Sequence, residues 1–197
     1  LTDSSVQAWY GIKDDGSTSS ITRSNLTARE IQLAASDPVT KVRRRAFEPN
    51  APLPANSKGW YIDLDMPPGN TKEGERMIGE PQVLRDVLIA SSVIPNTGNP
   101  CMPGRGYINA VDAYTGTSVR VGFFDANFNG DFSDDKLSNG TGTGTFVGSV
   151  DLGIGLLTDP VCVDGQCIVN GALGPASVPV PQGFFSGRIS WREIVRN

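Results

Sequence analysis

The segment Asp125-Ala-Asn-Phe-Asn-Gly-Asp-Phe-Ser-Asp-Asp135 concentrates the oxygen donors of the chain. Asp125, Asn127, Asn129 and Asp131 occupy alternate positions, with Gly130 sixth in the count, which matches the first half of an EF-hand loop. Alternate residues of a tight loop turn their oxygens inward, and Gly allows the sharp bend. Calcium takes six to eight hard oxygen ligands and supplies the charge that lets crowded carboxylates coexist. The second half departs from the pattern. Lys136 stands at the twelfth position, where a bidentate Glu is usual, and Ser133 stands at the ninth. The expected calcium ligands are Asp125, Asn127, Asn129, Asp131 and Asp134, with Ser133 or Asp135 as alternatives for closing the sphere. The plain alternative is an acidic surface turn rich in Asn and Asp for conformational reasons alone. Magnesium is disfavoured because it rarely uses an all-protein cage.

Other chemistry is hard to assemble. The chain has no histidine, so Ser-His-Asp and Cys-His arrangements are excluded, as are His-ligated metals. No glycine-rich stretch is followed by Lys-Ser/Thr, so there is no P-loop. Asp63 and Asp65 fall on one strand face as a carboxylate pair, better explained by side chains that keep the surface soluble. The expectation is a protein that is not an enzyme.

The elements that position the loop read as short strands. The 197 residues include 23 Gly and 14 Pro, which punctuate the chain too often for long helices. Strands are expected at Val6–Ile12, Lys41–Phe47, Gly59–Leu64, Arg76–Leu84, Val87–Ile94, Gly106–Asp112 and Ser118–Phe124, with a final one over Gly187–Val195. Arg85-Asp86 and Tyr114-Thr115-Gly116 are the turns among them. Ser24–Leu33 fits a short helix or a strand, Ser138–Gly144 a mobile loop, and Gly174–Gly183 a Pro/Gly loop. Strands recurring about every ten residues suggest a sandwich, barrel or propeller.

The net charge of −4 argues against nucleic acid as a partner. The one dense basic run, Lys41-Val-Arg-Arg-Arg45, reads as a solvated edge strand or loop. No stretch reaches the ~20 apolar residues needed to span a bilayer. Beginning at Leu1 rather than Met, the chain reads as a piece of a longer protein.

Three cysteines remain. Cys162-Val-Asp-Gly-Gln-Cys167 places the Asp-Gly hairpin signal between β-branched residues. That turn pairs Val163 with Gln166 and sets Cys162 opposite Cys167, close enough for a cross-strand disulfide and hence an oxidising compartment. Cys101 is left over, with a partner in missing sequence or as a buried free thiol.

Several segments together resemble the carboxy-terminal β-propeller region of the PilC/PilY family. These are Tyr10-Gly-Ile-Lys-Asp-Asp-Gly16 with Arg23-Ser-Asn-Leu26, Gly59-Trp-Tyr-Ile-Asp-Leu64 with Gly74-Glu-Arg76, and Val93-Ile-Pro-Asn96 with Cys101. Ala110-Val-Asp112 with Thr115-Gly116 and the ending Ser190-Trp-Arg-Glu193 complete the match, in order along nearly the whole chain. The resemblance implies an all-β fold: the C-terminal blades of a quinoprotein-like β-propeller carrying an EF-hand-like calcium loop, over residues 1–197. It implies a secreted, outer-membrane-associated protein at the pilus tip, acting in pilus biogenesis, adhesion and twitching motility. Its partners would be pilin subunits, minor pilins and a host or surface receptor. Two rival readings are a calcium-dependent carbohydrate-binding β module, using Trp9, Trp60 and Trp191 as stacking platforms, and a propeller enzyme.

Overall fold

A computed structural model describes residues 4–16, 20–67, 70–96, 99, 101–140, 142–163 and 165–183. The described residues form β1 (Ala8–Ile12), β2 (Thr27–Arg29), β3 (Ile31–Ser36), β4 (Arg43–Phe47), β5 (Gly59–Asp63), β6 (Arg76–Met77), β7 (Gln82–Leu84) and β8 (Val87–Ile94). There follow β9 (Arg105–Asp112), β10 (Lys136–Leu137), β11 (Thr145–Phe146), β12 (Ser149–Asp151), β13 (Val161–Val163), β14 (Gln166–Gly171) and β15 (Gly174–Pro179).

A seven-stranded sheet in the order β3-β4-β12-β9-β8-β6, with β7 also on β8, forms the middle layer. Its longest ladder joins β8 and β9 from Val87↔Asp112 to Ile94↔Arg105. One face packs Val87, Ile89, Ile108, Ala110 and Val150 into a core shared with Phe123, Phe124 and the β13-β14-β15 sheet. The other face packs Phe47, Ala90 and Val111 against Trp9, Trp60 and Ile62 of the β1-β5-β2 sheet. Cover on both faces explains why Val87–Ile94 lacks the polar alternation of a half-exposed strand. β5 has that alternation: Trp60 and Ile62 face inward, with Leu64 just beyond the strand, and Tyr61 and Asp63 are half-exposed. No closed barrel or ring of blades is formed among the described residues.

Several expectations are revised. Lys41–Arg45 is not a solvated edge, because β4 lies between β3 and β12 and Arg45 is only 1% exposed. Ser118–Phe124 is buried for most of its length without forming a strand, since Val119, Phe123 and Phe124 fill the core while its backbone lies outside the sheet. Arg76–Leu84 divides into β6 and β7; both pair with β8, and the residues between them, with Gly79 and Pro81, loop out. Gly174–Gly183 is not all loop, for β15 pairs with β14. Its prolines are tolerated because β15 is an edge strand. Ser24–Leu33 resolves into a 3-10 turn at Arg23–Asn25, then β2 and the start of β3. Gly187–Val195, Trp191 and the Ser190–Glu193 ending lie outside the described residues.

The hairpin register is as expected: Val163↔Gln166 and Cys162↔Cys167, the two cysteines disulfide-bonded with Cα atoms 4.0 Å apart. Arg85 turns the chain between β7 and β8 at φ +56°. Cys101 is free but exposed, not buried.

Candidate metal site

The oxygen-rich loop is held at both ends by the core. On its entry side Phe123, Phe124 and Ala126 are fully buried, and the Asp125 amide donates to the Pro179 carbonyl (3.1 Å). On its exit side Leu137 is buried, and the Asp135 carbonyl accepts from the Val147 amide (2.9 Å). A Cβ on Gly122 would lie 1.9 Å from the Phe132 carbonyl oxygen, so only Gly lets these two segments approach.

Inside these anchors the loop closes on itself. The Asp125 side chain, 2% exposed, accepts from the amides of Asn129 (3.1 Å) and Gly130 (2.9 Å). Asn127 Oδ1 accepts from the Asn129 amide (3.1 Å) and Asn129 Oδ1 from the Asp131 amide (2.7 Å). Asp131 accepts from the Ser133 amide (2.8 Å), and Ser133's hydroxyl and amide hold its carboxyl below the usual range. The Nδ2 groups of Asn127 and Asn129 both donate to Asp134, at 3.2 and 2.8 Å, which draws this acid across the loop. Phe128 and Gly130 take the left-handed region, at φ +61° and +85°. Lys136, at the twelfth position, pairs with Phe146 and sets its ammonium 4.5 Å from that ring, away from the loop oxygens.

Asp135 stands apart from the other acids of the loop. It is fully buried, and its carboxylate oxygens make no hydrogen bond of good geometry, only the long Arg44 ion pair and a weak approach to the Ala126 amide. Burial pushes its pKa up to about 6, and the charges of Asp125 and Asp134 add to the rise. The Ala126 amide and the Arg44 guanidinium oppose it, Arg44 Nη1 lying 3.8 Å from Oδ1. Arg44 also reaches Asp37 (3.2 Å), so its charge is shared. Hydrogen bonds thus link Asp125, Asn127, Asn129 and Asp134, while the Asp131 carboxylate turns to Ser133, and Asp135 lies close enough to Asp125 and Asp134 for their charges to act on it. Among the described residues no group of three or more His, Cys, Asp or Glu side chains forms a ready metal cage. The donor set is mixed carboxylate and amide oxygen, which suits a hard cation. A buried carboxylate that Arg44 compensates only in part leaves negative charge that a hard cation would offset.

Arg44 and Asp37 were not expected at this site. Arg44's signal was the alternation of β4, which sends it to the face opposite Arg43 and Arg45, and Asp37, just past β3, carried none.

Other candidates separate from this site. Trp9 and Trp60 are buried and meet edge to face at 5.6 Å, so neither is an exposed stacking platform. Asp63 pairs with Arg23, and the Asp65 carboxyl is raised by burial and by the Asp63 charge. The Asp112–Gly116 turn is structural: Asp112 accepts from the amides of Tyr114 and Thr115, both at 3.0 Å.

The motif residues converge on Trp60. Its indole donates to the Ala113 carbonyl (3.1 Å), and a Cβ on Gly11 or Gly116 would lie 2.3 or 2.4 Å from its ring. Glu75, within the Gly74–Arg76 motif, is the buried bidentate partner of Arg45 (2.6 and 2.9 Å).

No family model matches the chain. It is 30% identical over 198 residues to a type IV pilus biogenesis factor, a PilY1 homolog of Xylella fastidiosa, covering 97% of this chain. The chain belongs to the PilY1 family. Its fold is similar to the crystal structure of the Pseudomonas aeruginosa PilY1 C-terminal domain, with a TM-score of 0.70 at 24% identity over 92% of this chain. The chain spans 15% of the length of the Xylella relative and 38% of the solved Pseudomonas chain. Among the described residues no helix is long and apolar enough to cross a membrane.

Proposed function

We propose that this chain is the calcium-binding part of a type IV pilus-associated protein, with a binding role and no catalysis. The observation that carries the calcium reading is the buried Asp135 carboxylate, only partly compensated by Arg44 and crowded by Asp125 and Asp134, in a loop of EF-hand spacing. Asp125, Asn127, Asn129, Asp131 and Asp134 supply the first oxygens, and Asp135 closes the site. Bound calcium supplies the positive charge that this cluster lacks. Asp125 sets the bend through the Asn129 and Gly130 amides, while Asn127 and Asn129 hold Asp134 near the other donors.

The printed description of the Xylella relative supports a role in pilus biogenesis. The wider reading places the protein outside the cell at the pilus tip, where pilins, minor pilins and a surface receptor would meet it during adhesion and twitching. The sheets would then be part of a larger propeller-type ring, a reading supported by their fold match to a domain of which they cover 38%.

Calcium titration by calorimetry tests the first step, on wild type, Asp125→Ala and the exposed change Asp134→Asn. Saturable binding in wild type that weakens by roughly tenfold or more in both variants is expected from loss of one charged ligand. Absence of binding in a folded wild type overturns the calcium reading.

A further inference from the structure

At one end of the seven-stranded sheet, the start of β4, the end of β12, the start of β9 and the end of β8 meet around a cleft of about 700 Å³. Four cations line it: Lys41, Arg43, Lys72 and Arg105. Its two acids are already engaged, Asp151 by Arg43 at 3.7 Å and Glu73 by Arg105. Among the described residues the cleft thus carries a charge of +2 (four cations less two anions), in a chain whose net charge is −4. Lys41 and Lys72 are exposed, and neither is in an ion pair among the described residues, though Lys72 lies near enough to Asp65, outside the cleft, for their charges to act on each other. Lys41 donates to the Pro38 carbonyl (2.6 Å), which holds its ammonium near the rim.

The apolar part of the wall is equally specific. Pro95, Pro103 and Leu173 line the cleft and continue into a second groove of about 520 Å³ with Met102 and Leu156. Among the described residues no aromatic ring, the surface on which a sugar would stack, lines either groove. A cationic pocket that opens onto aliphatic and proline surface suits a chain presenting a carboxylate beside an aliphatic side chain. The geometry points to this cleft as a binding site for an acidic peptide segment of a protein partner. Its carboxylate sits between Lys41 and Lys72, and its apolar neighbour rests on Pro95, Pro103 and Leu173. The site is independent of the calcium loop, which none of the lining residues belongs to.

The test uses a fluorescein-labelled peptide of alternating Asp and Leu, with fluorescence anisotropy read in EDTA so that calcium plays no part. Wild type is expected to bind it, and salt weakens the interaction because the contacts are solvent-exposed charges. Lys41→Glu combined with Lys72→Glu is expected to weaken binding by roughly tenfold or more, since two attractive contacts become repulsive. The control pair Lys13→Glu with Arg120→Glu, outside the cleft, leaves affinity unchanged. All four substituted side chains are exposed, and unchanged thermal unfolding shows that each variant is folded. Equal binding of the Asn/Leu peptide, equal loss in the control pair, or no binding by wild type overturns the proposal. Capture of oligogalacturonate as tightly as the peptide also overturns it, by showing a general anion site.

Discussion

Replacing Asp135 with Asn should stabilise the calcium-free protein and weaken the calcium-loaded one. In the folded chain the Asp135 carboxyl is pushed up from 3.8 to about 6. The fold therefore holds the proton more tightly than the unfolded chain does. The associated stability is complete below about pH 4 and is lost as pH rises through about 6. At pH 7.5 the ionised group costs about 3 kcal/mol, from a shift of roughly two units at 1.36 kcal/mol each. Asn removes the charge but brings buried N–H donors, a cost of about 1–2 kcal/mol. The net gain is about 1–2 kcal/mol, which for a chain of this length raises Tm by roughly 3–6 °C. Thermal unfolding in EDTA at pH 7.5 and pH 5 measures it, and the advantage should shrink at pH 5, where wild-type Asp135 is largely protonated. In saturating calcium the order should reverse, because wild type gains about 2.7 kcal/mol at a hundredfold excess over Kd and the variant gains less. A variant no more stable than wild type in EDTA at pH 7.5 would refute the reasoning. So would an advantage that is the same at both pH values.

Two further outcomes follow from the buried framework. Glu75→Gln leaves the Arg45 charge buried without its acid partner, against Asn109 and the Tyr107 ring at 3.6 Å. It should cost about 3 kcal/mol, read as a lower midpoint in urea unfolding; a midpoint unchanged from wild type would count against the pair. Gly116→Ala places a Cβ 2.4 Å from the Trp60 ring at a backbone φ of +69°. A loss of about 2–4 kcal/mol is expected from left-handed strain plus overpacking, whereas Ala at the exposed, open Gly140 should cost about 1 kcal/mol.

Features that a few adjacent residues specify were legible in the sequence. The Cys162–Cys167 disulfide followed from one Asp-Gly turn, and β5 from two-residue alternation. The tight turn over Asp125–Asp131 followed from its alternating Asp and Asn with Gly130 between them. Features decided by distant packing were not legible. Ser118–Phe124 has strand-forming residues, yet its phenylalanines are drawn into the core below the sheet and its backbone lies outside the ladder. β15 carries two prolines that argue for a loop unless its edge position is known. At the candidate site, Asp125 and the two asparagines could be read from spacing. The burial of Asp135 and its neighbour Arg44 could not, because both depend on the register of β4 beside β12.

The basic run shows why charge composition misleads when a strand is covered on both faces. Read as a string, Lys41 to Arg45 is a single patch, and a solvated edge is its simplest home. In the sheet, strand alternation turns Arg43 and Arg45 to one face and Arg44 to the other. Position along the strand then separates Arg43 from Arg45. Arg43 lies at the sheet end, half-exposed beside Asp151, where it contributes to the cleft. Arg45 lies deeper, bidentate to Glu75 and joined through Asn109 to Ser149 and Ser92. Arg44 turns toward the oxygen-rich loop and divides its charge between Asp37 and Asp135. One cationic string thus serves the cleft, the loop and the core. These three tasks have different energetic consequences: exposed attraction that salt screens, partial compensation of a buried carboxylate, and a buried pair that is costly to break. Substituting the three arginines singly should therefore give three unlike phenotypes, although the sequence presents them as equivalent.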